Sequence, residues 1–381
     1  MRIDRSSRHP TCKDDLPTPA LLVDLDRLEA NIETMAAHCR REGCSLRPHA
    51  KSHKCPEIAR RQVAAGARGV STATVAEAEA MARSGIPGVL LTSPIVERGK
   101  IARMVDLARA GCEVLLAVGH PRQVELLAEA ASAAGTRVDV LVDLDVGDHR
   151  FGIEPGSPAL ELAREIARRH SLRLRGVQAY SGLSSHVPGY EARRRASREA
   201  MGGAVETLGL LRRSGLDAGF LSCGSTGTYD IDSRLPAEVE LQCGSYVFMD
   251  VEYRAIGSRD GGDLYDDFRR SLTVLATVVS TYAGRVTVDA GVKAFATETS
   301  YRPEARDRPG LQYAFFGDEF GTISVRPGDA PPAIGDRIEF YAPHCDPTVH
   351  LYDRIHAVRG DVVEATWGIV ARRERPSPPG R

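Results

Sequence analysis

Between residues 46 and 242 the chain alternates short apolar runs with Ala-, Leu-, Arg- and Glu-rich stretches of helical periodicity. The runs fall at 46–49, 69–71, 88–91, 113–118, 138–142, 174–180, 220–223 and 239–242, which makes eight strand candidates. Eight strand–helix units with short loops and right-handed crossovers are what a (β/α)8 barrel of the TIM type requires. A doubly wound open sheet is the main competitor, but no Gly-x-Gly-x-x-Gly follows the first strand. The pattern therefore predicts an α/β barrel whose functional groups lie just past the strand C-termini. Lys51, Arg150, Tyr180, Gly224-Ser225-Thr226-Gly227-Thr228 and Gly244-Ser245-Tyr246 all occupy such positions.

Past residue 265 the texture changes. The runs 271–280, 285–289, 321–325, 337–341 and 362–367 are β-branched and separated by Gly, Pro and Asp, the signature of a second, mainly β domain. Residues 18–24 are expected to join it as a strand before the chain enters the barrel. The expected division is a barrel over 24–265, a β domain from 1–23 plus 266–372, and a disordered tail over 373–381, whose end is too proline-rich to pack.

Composition removes several classes. With 381 residues, 42% of them hydrophobic, the chain can bury a large core, and a net charge of −1 gives no electrostatic case for nucleic acid. No apolar run approaches the ~20 residues of a membrane span, and Met1-Arg2-Ile3-Asp4-Arg5 lacks a signal-peptide core, so a cytoplasmic protein without membrane partners is expected. The eight cysteines include no Cys-x-x-Cys pair, which predicts reduced thiols, most of them small core residues.

Lys51 stands in Arg47-Pro48-His49-Ala50-Lys51-Ser52-His53-Lys54, beside two imidazoles and a second ammonium. Such surroundings lower an amine pKa and suit a Schiff-base nucleophile, although a solvated surface lysine is the plain alternative. The glycine- and hydroxyl-rich segments 224–228 and 244–246 have the makings of a phosphate cradle or, equally simply, of two turns.

Lys51 in its octapeptide, Asp145-Val146-Gly147-Asp148-His149-Arg150-Phe151-Gly152, and Pro343-His344-Cys345-Asp346-Pro347-Thr348 together resemble the fold-type III pyridoxal-phosphate enzymes, in the branch of D-threonine aldolase and eukaryotic-type D-serine dehydratase. The resemblance runs from about Pro17 to Val370. It implies pyridoxal 5′-phosphate carried on Lys51 in a head-to-tail homodimer. It also implies Tyr180 beside the cofactor ring and Arg150 as a cofactor contact, with a rim salt bridge as the other reading of Arg150. Phosphate contacts would come from Ser225, Thr226, Gly227, Thr228, Gly244, Ser245 and Tyr246.

In an extended Pro343-His344-Cys345-Asp346 tract, His344 and Asp346 would share one face and Cys345 the other. Imidazole plus carboxylate suits a divalent ion, with Mn²⁺ the leading candidate and Mg²⁺, Co²⁺ and Zn²⁺ as alternatives. A surface β-turn is the bland alternative. Dehydratases of this branch tend to show His-x-Cys and the aldolases His-x-Asp, so the resemblance implies an aldolase. Its substrates would be D-threonine, D-allo-threonine and related D-β-hydroxy-α-amino acids, cleaved to glycine and an aldehyde. The base would be His186, matched by its spacing from Tyr180, or a metal-activated water, and His186 as an ordinary loop residue stays open. Alternatives are a D-serine or D-3-hydroxyaspartate dehydratase, a non-catalytic pyridoxal-phosphate carrier, and an alanine racemase using Tyr282, Tyr301 or Tyr313.

Overall fold

The computed structural model describes residues 12–282 and 285–373. The expected tail therefore falls, from residue 374 on, outside the described residues. The described residues divide into two compact units interleaved in sequence: a β unit of 12–31, 245–255 and most of 265–369, and a barrel unit of 32–244, 256–264 and 370–373.

Strand β1 (Ala20–Asp24) belongs to the β unit, and the next eight build the barrel. These are β2 (Ser45–Leu46), β3 (Val70–Thr72), β4 (Gly88–Leu91), β5 (Glu113–Val118), β6 (Val138–Leu144), β7 (Leu172–Ala179), β8 (Phe220–Cys223) and β9 (Val239–Leu241). They pair in the order β2-β9-β8-β7-β6-β5-β4-β3. The ring closes because Arg68 N donates to Leu46 O and Ser71 N to Pro48 O, both at 2.9 Å, with His49 bridged to Ser71. Each of the eight apolar runs is thus a barrel strand.

Parallel strands under helices are covered on both faces, and β6 is buried at every position. Leu90, Leu115 and Leu141 pack together with Phe220 against them. The helix Ser157–Ala167 shows how the outer layer is specified, since it buries Ala159, Leu162, Ala163 and Ile166 at helical spacing. Burying each such Leu or Ile side chain contributes about 1.5–3 kcal/mol.

The β unit continues with β10 (Leu272–Tyr282), β11 (Arg285–Val288), β12 (Glu304–Ala305), β13 (Leu311–Phe315), β14 (Gly321–Val325), β15 (Arg337–Tyr341), β16 (Arg354–Arg359) and β17 (Val362–Gly368). Its strands run in the order β11-β14-β13-β12-β15-β10-β1-β16-β17, and an extra β10–β11 pairing closes the first six into a barrel. The strand expected over 18–24 is β1, antiparallel to β10 and parallel to β16. Leu16, Ala20, Leu22, Leu275, Val358 and Val363 form a core there. Three strands were not legible in sequence. β12 has two residues, β13 buries one position of five, and β16 is bounded by Arg354 and Arg359.

All eight cysteines are free, five of them buried. Among the described residues no helix is long and apolar enough to cross a membrane.

Candidate active site

In the barrel unit, the chain leaving β2 stays extended to His49 and then makes the short 3-10 turn Ala50–Ser52, which carries Lys51. His49 pins this turn: Nδ1 accepts the Lys51 backbone N–H at 3.4 Å, and Nε2 lies 3.2 Å from Thr92 Oγ1, just past β4. The neighbouring cation is already committed. Lys54 adopts a left-handed φ of 46° and forms a buried ion pair with Glu77, whose other oxygen accepts Ala73 N at 2.7 Å. His53 is wholly buried, with Nδ1 accepting Cys55 N at 3.0 Å. Lys54 and His53 therefore hold the loop that carries Lys51.

The loop after β6 is built from its own acids. Asp145 Oδ1 accepts Gly147 N and His149 N, each at 3.0 Å, which turns the chain so that the Arg150 guanidinium sits 5.6 Å from the Tyr180 ring centre. Tyr180 directly follows β7. Asp148 ties this loop to the next, accepting Gly182 N at 2.7 Å and Ser181 Oγ at 3.2 Å. Those residues open the one-turn helix Gly182–Ser185 that His186 caps.

Residues 224–228 follow β8 and are buried. A Cβ on Gly227 would lie 2.1 Å from Ser185 O, so glycine is required for the loop to pass beside the His186 segment. Thr228 Oγ1 accepts Ser225 N at 3.2 Å and donates to buried Asp232, which shapes the turn from within. Arg193, wholly buried, donates to Gly227 O (2.8 Å), Val187 O (3.0 Å), Ile256 O (2.7 Å) and Gly257 O (3.0 Å). Sequence reasoning overlooked this residue, because an arginine on a helix reads as a solvated face. Gly244 follows β9, and a Cβ there would meet Ser52 Oγ at 2.5 Å and His49 O at 2.9 Å, so it abuts the Lys51 turn.

A polar chain crosses the barrel interior, also unanticipated. Arg47 Nε donates to Glu240 at 3.0 Å, Ser222 Oγ to Glu240 at 3.4 Å, Gln242 Nε2 to Ser222 at 2.9 Å and to Gln178 at 3.2 Å, and Gln178 Nε2 to Asp143 at 2.7 Å. Burial pushes the Asp143 carboxyl up to about 7, against the opposing pull of Gln178 and Arg150.

In the β unit, His344 is extended (φ −139°, ψ 127°), but Cys345–His350 is a short helix. The tract is therefore not the extended segment anticipated. Strand alternation does not bring His344 and Asp346 to one face; a helix N-terminal turn sets their relation. Cys345 is wholly buried, its thiol pushed up by burial, and it is not turned clear of its neighbour: Sγ lies 3.4 Å from Asp346 Oδ1. Ser245 Oγ lies 3.5 Å from the same oxygen. Tyr246 packs at 5.5 Å from the Phe268 ring with its side chain buried, which leaves its backbone as the part that a phosphate could meet.

Acids surround His344. Nδ1 lies 2.6 Å from Glu298 Oε1 and 4.0 Å from Glu252 Oε2. Burial lowers the His344 pKa, but Asp346, Asp250 and Glu298 outweigh it and the net shift is upward. Buried Asp250 accepts Cys345 N at 2.8 Å and so fixes the backbone between His344 and Asp346. Among the described residues no group of three or more His, Cys, Asp and Glu side chains is placed to hold a metal ion. Of the tyrosines weighed for a racemase, Tyr313 is spent in the core, donating to Ala290 O at 2.6 Å.

The chain matches the alanine racemase N-terminal domain family over residues 23–250 and a serine dehydratase domain over 271–358. It is 38% identical over 356 residues to a D-threonine aldolase of Arthrobacter sp., covering 93% of this chain and 92% of that one. It is 33% identical over 363 residues to a 3-hydroxy-D-aspartate aldolase of Paracoccus denitrificans, covering 94% and 93%. The crystal structure of D-threonine aldolase from Filomicrobium marinum superposes with a TM-score of 0.91 at 38% identity, over 96% of this chain and 98% of that one.

Proposed function

This chain belongs to the alanine racemase-like family of pyridoxal-phosphate enzymes, and from that premise we propose a divalent-metal-dependent aldolase that cleaves D-threonine, D-allo-threonine and related D-β-hydroxy-α-amino acids to glycine and an aldehyde. The observation that carries the reading is Asp346, a carboxylate two residues after His344 where dehydratases of the branch tend to have cysteine. The buried Cys345 between them packs on the Asp346 carboxylate and is not the second donor.

Pyridoxal phosphate, when bound, supplies the electron sink for the carbon–carbon cleavage. The residues present fit it. Lys51 Nζ would be the amine for its aldehyde, and the buried hydroxyls of Ser225 and Thr226 suit a dianion, in a turn that Thr228 and Gly227 shape. The backbone at Ser245 and Tyr246 is assigned the remaining phosphate contacts. Arg150 and Tyr180 would contact the cofactor, and Asp148 ties their two loops together.

His344 and Asp346 hold the metal, with Mn²⁺ as the leading candidate and Mg²⁺, Co²⁺ and Zn²⁺ as alternatives, and position the substrate β-hydroxyl. His186 takes the hydroxyl proton as the carbon–carbon bond opens. Lys51 would be the amine that returns a proton to Cα. A cytoplasmic head-to-tail homodimer completes the proposal.

The test is incubation of purified protein with D-threonine, measuring acetaldehyde against 2-oxobutyrate. Acetaldehyde as the main product, lost with EDTA and restored by Mn²⁺, is expected. Dominant 2-oxobutyrate would instead assign a dehydratase.

A further inference from the structure

The helix Leu25–Glu42 ends in a turn whose first and sixth residues are both cysteines. Gly43 has φ +72°, a left-handed conformation that favours glycine, and Cys44 N donates to Cys39 O at 3.1 Å. This is the six-to-one bond of a Schellman C-cap, a motif in which the side chains at those two positions characteristically meet. An amide–carbonyl bond of that length also keeps the two α-carbons near the ~4.4–6.8 Å span that a disulfide needs.

We propose that Cys39 and Cys44 are a redox-active pair, which a low-molecular-weight disulfide converts to an intramolecular disulfide across the helix C-cap. Cys44 is half-buried and so reachable, whereas Cys39 is buried. The chemistry divides between them accordingly. The neighbouring Cys39 thiol lowers the Cys44 pKa against the opposing effect of burial, while Cys39, beside Cys44 and buried, is raised. Cys44 as thiolate attacks the external disulfide, forming a mixed disulfide and releasing one thiol. Cys39 then loses its proton and attacks the Cys44 sulfur, releasing the second thiol. Two protein thiols are oxidised and one external disulfide is reduced to two thiols.

Of the other buried thiols of the barrel unit, one is already engaged: Cys243 donates to Ser225 O at 3.1 Å. Closing so short a loop removes little unfolded-chain entropy, so a cellular reductant can reopen the bond. The pair lies immediately before β2, the strand that leads to the Lys51 turn.

The test treats the native full-length protein with glutathione disulfide, quenches it in acid, alkylates the remaining thiols and maps peptides by mass spectrometry. Arg40 and Arg41 lie between the two cysteines, so trypsin separates them unless a disulfide joins their peptides. The expected result is that Cys39 and Cys44 escape alkylation together, appear as one joined pair lacking both thiol hydrogens, and revert with dithiothreitol. In Cys44→Ser, Cys39 should remain fully alkylated. A stable glutathione adduct on Cys44, full alkylation of both residues, or a link from either one to another cysteine would overturn the proposal.

Discussion

His344 Nδ1 lies 2.6 Å from Glu298 Oε1, and this single hydrogen bond decides which imidazole nitrogen remains for a ligand. A carboxylate only accepts, so it holds a proton on Nδ1 and leaves Nε2 as the nitrogen for a ligand. Glu298→Ala is expected to weaken Mn²⁺ binding by about 10- to 100-fold, with Glu298→Gln between it and wild type. Titration calorimetry without substrate reads this directly. Equal affinity for wild type and Glu298→Ala would remove the role, and no binding by wild type would remove the metal site itself.

The two lysines of the β2 loop should separate cleanly. Lys51→Ala is expected to lose the visible absorption band of bound cofactor with its fold intact. Lys54→Ala should keep the band and lose stability, because Glu77, 1% exposed, is left as an unpaired buried charge at a cost of about 3–5 kcal/mol. Spectra and urea midpoints of both variants check the assignment, and a cofactor band retained in Lys51→Ala would contradict it.

Arg193 holds four backbone carbonyls around the His186 and Gly227 loops. Arg193→Ala strands them in the interior, and a loss of at least about 3 kcal/mol is expected, since each unmet buried group costs ~1–3 kcal/mol and their effects overlap. A urea midpoint unchanged from wild type would show that water replaces the guanidinium.

Asp143 gives stability a pH slope. Its folded pKa of about 7 stands above the ordinary 3.8, so between those values the folded protein keeps a proton that the unfolded chain releases. The contribution of this group is therefore most favourable below about pH 4 and declines as pH rises towards 7, by roughly 1.4 kcal/mol per unit. Asp143→Asn should flatten that decline. The measurement is unfolding free energy at several pH values for both proteins, and parallel curves would count against the assignment.

The same physics explains what was legible in advance. A strand such as Val138–Leu144 or a helix such as Ser157–Ala167 declares itself through spacing within one short segment, because the periodic burial that stabilises it is written in consecutive residues. β13 was missed because its sheet neighbours, not an apolar run, hold it in place, and β16 because arginines bound a short buried stretch that pairs with β1 and β17. The His344 tract was misjudged for a related reason. Its helix begins where Asp250, 95 residues earlier, accepts the Cys345 amide, and no local pattern records that acid.

Local order in the chain was thus enough to establish the barrel and the β unit and to single out Lys51 as a candidate amine. Tertiary structure alone made Lys54 a structural cation, Arg193 a buried clamp, Asp143 a carboxyl that holds its proton, and Glu298 the partner of His344. Each of those outcomes depends on a partner 23 to 64 residues away, and the first three on desolvation as well. Burial changes what a polar group costs and which proton it keeps, and burial is settled only when distant segments close around it.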